Sequence, residues 1–289
     1  MQIINTIKTL VTTIKHWKQL GLSIAFVPTM GNLHQGHLKL ITQGKDQADK
    51  VVVSIFVNPT QFSLGEDFSS YPRTEQQDSE LLKIHNVDLL FLPSVNEIYK
   101  PKARTIISVT ELSNLHCGAS RVGHFNGVAT IVCKLFNLVQ PDIALFGEKD
   151  YQQLAIIRAM IEDLNIPVQI KSVSTVRETD GLAMSSRNSY LTKEQRAIAP
   201  ILYQTLRQAY HQIITKQLGF EQIEQQKQKV LNDVGFIVDY FSICHANTLL
   251  AAKQEDDEVV ILAAAKLGKT RLIDNIHFKI NNLKVDSLD

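Results

Sequence analysis

Histidines 34 and 37 flank Gly36 in the stretch AFVPTMGNLHQGHLKL, residues 25–40, where a continuous hydrophobic run gives way to an amphipathic pattern. If the run is a strand and a helix begins near Gly36, the unpaired N–H groups of the helix's first turn face the strand-end crevice. Such a terminus attracts anions, with phosphate the usual occupant. Gly31 and Gly36 would let the backbone approach that ligand closely. Imidazole can donate to a phosphate oxygen, and as imidazolium it can offset charge on a departing pyrophosphate. Other chemistries fit less well. Zinc needs further ligands, and no other His or Cys lies nearby in the chain. The spacing Gly31-x4-Gly36 resembles a phosphate loop, but His37-Leu38 stands where Lys-Ser/Thr is required. A lone histidine here would more often be a capping or solvated residue.

Other stretches carry complementary groups. GLAMSSRN, residues 181–188, offers two serine hydroxyls and the fixed fork of Arg187, suited to clamping phosphates. FGEKDYQQL places Lys149 and Asp150 directly after an apolar run. Gln61 in NPTQFS and Gln153 supply uncharged donors and acceptors. Alone, the serine loop is more often a turn than a site, the charges after the strand read equally well as solvated loop residues, and a lone Gln is usually incidental; the combination carries the weight.

These groups need strand ends to hold them. SIAFVPT (23–29), KVVVSIFVN (50–58), VDLLFLP (87–93) and DIALFGE (142–148) are short runs rich in Val, Ile and Phe, separated mostly by helical patterns. That alternation predicts a parallel sheet covered on both faces, with ligands beyond the carboxyl ends of its strands. Ile4, Ile7, Leu10, Val11 and Ile14 predict an amphipathic N-terminal helix. Beyond Asn188, TKEQRAIAPILYQTLRQAYHQIITKQL reads as one long helix and FEQIEQQKQKVLNDVG as another, followed by VDYFSICHA, EVVILAAAKLG and TRLIDNIHF as a small sheet. The expected class is therefore α/β, with a Rossmann-like parallel-sheet domain over 1–180 and a smaller α+β domain over 181–289.

The 289 residues are 44% hydrophobic and 20% charged, with a net charge of +1, which gives no electrostatic footprint for nucleic acid. Three cysteines without metal or CxxC spacing read as reduced thiols in a cytoplasmic protein. No run predicts a signal peptide or a membrane span.

The order HxGH, then SSRN, resembles the nucleotidyltransferase and class I aminoacyl-tRNA synthetase superfamily. Within it the chain is similar to the pantothenate synthetase (pantoate–β-alanine ligase) family through VPTMGNLHQGHLKL, VSIFVNPTQF, DFSSYPRT, GHFNGVATIVCKLFNLVQPDIALFGEKDYQQL, VRETDGLAMSSRNSYL and TRLIDN. The resemblance implies a Rossmann-like domain with a C-terminal lid, a homodimer, and the condensation of pantoate with β-alanine through pantoyl adenylate. It places ATP against Met30, His34, His37, Gly147, Lys149, Asp150, Val176, Met184, Ser185, Ser186 and Arg187, and pantoate against Gln61 and Gln153. His37 matches the proton donor; His34, Lys149 and Arg187 join it as expected catalytic groups. Mg²⁺ is expected on the phosphates, with Asp78 a conceivable ligand, although a helix-surface carboxylate is the plainer reading. CHANTLLAAK departs from the family, with His245 where an acidic residue is common and no proline after Thr-Leu. A transferase joining AMP or CMP to a phosphorylated substrate would want more basic residues than NPTQF provides. A catalytically silent nucleotide-binding regulator could lose His37, Lys149 or Arg187, and all three are present. A tRNA-binding synthetase is disfavoured by length and charge.

Overall fold

Runs of Val, Ile and Phe form strands here because both of their faces are buried. The computed structural model describes residues 1–63 and 65–280, so the last nine residues of the expected second domain lie outside the described residues. β1 (Gln2–Ile4), β2 (Ile24–Thr29), β3 (Lys50–Ile55), β4 (Leu89–Phe91), β5 (Ile143–Gly147) and β6 (Gln169–Val173) make one parallel sheet in the order β1-β4-β3-β2-β5-β6. Val51, Val53 and Ile55 face one way, packing with Leu38, Ile41 and Leu82 of the helices Gln35–Lys45 and Glu75–Ile84. Phe26 meets Phe136 of the helix His124–Val139 edge to face at 6.4 Å between centroids. From β2 the chain builds outward to β3 and β4, then returns to add β5 and β6 on β2's other side. The reversal lies between β2 and β5, and the crevice at such a switch point is where ligands bind in open parallel sheets. The expected N-terminal helix is Ile7–Gln19. β1 was not foreseen; its three residues pair with β4, Ile3 opposite Leu90.

Two compact units are present: Met1–Asn114, Arg121–Glu148 and Gln153–Thr175 form one; Leu115–Ser120, Lys149–Gln152 and the described part of Val176–Asp289 form the other. In the second, β7 (Ile237–His245), β8 (Glu258–Leu267) and β9 (Thr270–Lys279) form an antiparallel sheet. Its core joins Phe241, Ile261 and Leu272 to Leu206, Tyr210 and Ile223 of the flanking helices. The long helix expected after Asn188 is two, Lys193–Ile198 and Ile201–Ile214. Pro200 stands at the break, where its missing N–H cannot continue the hydrogen-bond ladder. His245 has taken over a cap: its Nδ1 accepts from Asn247 N–H at 3.2 Å and Thr248 N–H at 3.3 Å, the role an acidic side chain fills at a turn. No described helix is long and apolar enough to cross a membrane.

Candidate active site

In the first unit, β2 ends at Thr29 and the helix Gln35–Lys45 starts with His34 as its cap. The two histidines cap reciprocally. His34 Nδ1 accepts from Gly36 N–H at 3.1 Å, and His37 Nδ1 accepts from His34 N–H at 3.2 Å. A ring nitrogen that accepts carries no hydrogen, so each neutral ring bears its proton on Nε2. The rings stack at 4.2 Å between centroids, tilted by 48°. A Cβ at Gly36 would lie 2.9 Å from His34 Cε1 and 3.0 Å from its Nδ1. The room that glycine provides is therefore taken by the His34 ring. His34 is a capping residue, the plain reading of a lone histidine, and the cap is also what orients it.

Asp78 is neither a surface carboxylate nor free to bind a metal. It is 4% exposed, and its Oδ2 and Oδ1 accept from Asn32 N–H at 2.8 Å and Leu33 N–H at 2.9 Å. Gly31 and Asn32 are both left-handed, with φ of 84° and 51°. Successive N–H groups in such a turn converge into an anion-binding nest, and this chain fills the nest with its own carboxylate. Thr74 Oγ1 donates to the same Oδ2 at 3.1 Å. The spacing Gly31-x4-Gly36 thus serves to hold the histidines in place.

Gln61 closes the short 3-10 turn Pro59–Gln61 after β3 and is 8% exposed. Its Oε1 accepts from Asn58 Nδ2 at 3.1 Å, and its Nε2 donates to Met30 Sδ at 3.0 Å. Sulfur here can only accept, so the amide has one orientation, and two of the expected site residues are brought into contact. Asn58, which the sequence did not single out, also donates to Gly127 O at 3.1 Å. A Cβ at Gly127 would sit 2.4 Å from Thr60 O, so only glycine lets the helix His124–Val139 approach this turn. Gln153 lies half-buried in the first turn of the helix Tyr151–Asp163.

In the second unit, Lys149 is anchored through its backbone, its carbonyl accepting from Asn275 Nδ2 at 2.9 Å. Its side chain is 19% exposed, with Nζ 3.9 Å from Asp150 Oδ2. The neighbouring Gln152 is structural, accepting from Cys117 N–H and donating to Leu115 O. Val176 and Met184, at either end of the turn within VRETDGLAMSSRNSYL, are joined: Met184 N–H donates to Val176 O at 2.9 Å. The serine-rich stretch is a 3-10 turn, Ser186–Tyr190, capped by Ser185 Oγ on Arg187 N–H at 3.3 Å. Arg177 pairs antiparallel with Ala183 to close a short hairpin before this turn; it is gripped by Asp274 through bonds of 2.6 and 3.0 Å and lies 3.4 Å over the Tyr203 ring. TRLIDN thereby acquires a job: Asp274 braces the hairpin and Asn275 braces Lys149. Gly147 closes β5, where a Cβ would meet no described atom within 4 Å.

Comparison with known proteins places the chain in a family. The family model described as pantoate-beta-alanine ligase matches residues 2–277. A pantothenate synthetase of Colwellia psychrerythraea is 50% identical over 97% of this chain and 100% of its own, and one of Pseudomonas fluorescens is 51% identical with the same coverage. The crystal structure of the Thermus thermophilus pantothenate synthetase superposes with a TM-score of 0.90 at 42% identity, over 97% of this chain and 99% of that one. A pantoate-beta-alanine ligase from Francisella tularensis, complexed with beta-gamma ATP and beta-alanine, superposes with a TM-score of 0.81 at 35% identity, over 98% of both chains.

Proposed function

This chain belongs to the pantoate–β-alanine ligase family, an ATP-dependent ligase of pantoate and β-alanine, and on that premise we propose how it works. A carboxylate oxygen of pantoate attacks the α-phosphorus of ATP, the bond to the β-phosphate oxygen breaks, and pyrophosphate leaves. The β-alanine nitrogen then attacks the acyl carbon of pantoyl adenylate, losing a proton as the bond to AMP breaks, which yields pantothenate.

The observation that carries this reading is the reciprocal cap of His34 and His37. It fixes two Nε2–H donors on adjacent rings at the switch point of the sheet, suited to oxygens whose charge rises as pyrophosphate departs. His37 is the proton donor to that leaving group. Met30, Gly31, His34, Gly36, His37, Gly147, Lys149, Asp150, Val176, Met184, Ser185, Ser186 and Arg187 contact ATP. Lys149 and Arg187 supply the positive charge, and the unhindered face of Gly147 suits close approach by the nucleotide. Gln61 and Gln153 read pantoate. With one amide hydrogen given to Met30 and one lone pair to Asn58, Gln61 keeps a second donor and a second lone pair for the substrate. Mg²⁺ enters with the ATP phosphates, since it binds chiefly through substrate oxygens and waters. Asp78 is not its ligand. Residues 1–180 form the ATP- and pantoate-binding domain and 181–289 the C-terminal domain. The enzyme is a cytoplasmic homodimer.

The test is exchange of labelled pyrophosphate into ATP. With Mg²⁺, ATP and pantoate, exchange should proceed without β-alanine, because the first half-reaction is reversible on the enzyme. Exchange that requires β-alanine would defeat a discrete adenylate. Light scattering of the purified enzyme tests the dimer; a single-chain mass would overturn it.

A further inference from the structure

The segment Arg121–Val128 has no part in the roles above, yet its side chains close on Gln61. Arg121 grips the Glu66 carboxylate with two bonds, Nε to Oε1 at 2.6 Å and Nη2 to Oε2 at 2.7 Å. Glu66 Oε2 also accepts from Ser63 N–H at 3.2 Å. Burial pushes the Glu66 carboxyl up, but the bonds and charge of Arg121 outweigh it and hold the group below the usual carboxylate range. Arg121 Nη1 lies 3.0 Å from His124 Nε2. A guanidinium can only donate, so Nε2 accepts and the ring hydrogen sits on Nδ1. That N–H points to the carbonyl oxygen of Gln61 at 2.7 Å, to which Arg121 Nη2 also donates at 3.4 Å.

The turn needs this support. Its own backbone bonds, Gln61 N–H to Asn58 O and Phe62 N–H to Pro59 O, are both 3.4 Å long, at the weak end of the range. The His124 bond is the short one. Glu66 fixes Arg121, Arg121 fixes the tautomer of His124, and His124 fixes the peptide that carries the Gln61 amide. We infer that Glu66, Arg121 and His124 are positioning residues for pantoate, holding Gln61 where its amide meets that substrate. The inference rests on the reading of Gln61 as a pantoate contact.

The experiment measures KM for pantoate and for ATP separately, with melting temperature, in His124→Leu, His124→Asn and Glu66→Gln, and in Gln61→Ala as the reference. His124→Leu removes the donor and should raise the pantoate KM about tenfold, the scale of one well-made hydrogen bond, with the ATP KM within about twofold. His124→Asn returns an N–H close to the place of Nδ1 and should bring the pantoate KM back to within about threefold of the parent. Glu66→Gln, on a partly exposed side chain, should raise it about threefold without lowering the melting temperature. Should His124→Leu fail to fold, the Asn and Gln variants decide. A raised pantoate KM in Gln61→Ala with no change in the Glu66 and His124 variants would overturn the positioning role and leave the Gln61 reading intact. No change in Gln61→Ala would remove that reading and the inference together. Equal loss toward ATP and pantoate, or no rescue by Asn, would reduce the segment to ordinary structural support and overturn the inference.

Discussion

His34 and His37 each spend one ring nitrogen on the backbone that positions them. The cost of that arrangement falls on Gly36, because the folded-over His34 ring occupies the volume a side chain would need. Gly36→Ala separates stability from activity for this reason. Alanine is favoured over glycine inside a helix by about 1 kcal/mol, while displacing the ring forfeits a cap worth about 0.5–2 kcal/mol. The two nearly cancel, so the melting temperature should move little. The rings, however, must shift, and a misplacement of about 1 Å at a catalytic group costs on the order of 10²-fold in rate. Turnover measured beside a thermal melt checks this; a Gly36→Ala enzyme of parental activity would show that the reciprocal cap is dispensable.

Elements are held here by side chains reaching across large sequence separations, and this decided what could be read beforehand. The strands β2 to β5 and their covering helices were legible because burial on both faces leaves unbroken apolar runs. β1 was not, since three residues give no pattern, and the break at Pro200 was hidden inside an otherwise continuous helical periodicity. Asp78 looked like a helix-surface carboxylate because nothing local reveals that its partners are the N–H groups of Asn32 and Leu33. The helix Phe220–Asp233 offers a similar case with a pH signature. Burial raises the Glu224 carboxyl above its usual range, the Ile243 N–H bond partly opposing and the Glu221 charge adding to the rise. A carboxyl that holds its proton more tightly when folded contributes stability at low pH and loses it as pH rises through the folded value. Glu224→Gln keeps an acceptor for Ile243 without the charge. It should melt above the parent at pH 7–8, the two converging below the ordinary carboxyl range of about 4.3. A constant difference across that window, or a lower melt at neutral pH, would contradict the burial of this carboxyl.

At the scale of the molecule, apolar clusters in each unit carry a set of groups that sequence motifs located more readily than they explained. Gln61 was visible as chemistry, but its supports, Asn58 and His124, were not, because a support is recognised by what it touches. The same whole set bears on which bond of ATP is attacked. A carboxylic acid can be activated at the γ-phosphorus as an acyl phosphate or at the α-phosphorus as an acyl adenylate. Enzymes that cradle the β- and γ-phosphates with a phosphate loop do so with free backbone N–H groups and a following lysine. Here His37-Leu38 replaces Lys-Ser/Thr, and the N–H groups of Asn32, Leu33 and Gly36 are already bonded to Asp78 and His34. What the glycine turn presents instead is a pair of reciprocally capped imidazoles, which the proposed function assigns to a leaving pyrophosphate. Pantoate labelled with ¹⁸O in its carboxylate should therefore deliver one labelled oxygen to AMP, because the oxygen that attacked the α-phosphorus stays with it when β-alanine takes the acyl group. Mass spectrometry of the products reads this directly. Label in inorganic phosphate, with ADP as the nucleotide product, would place the attack on the γ-phosphorus and remove the adenylate from the mechanism.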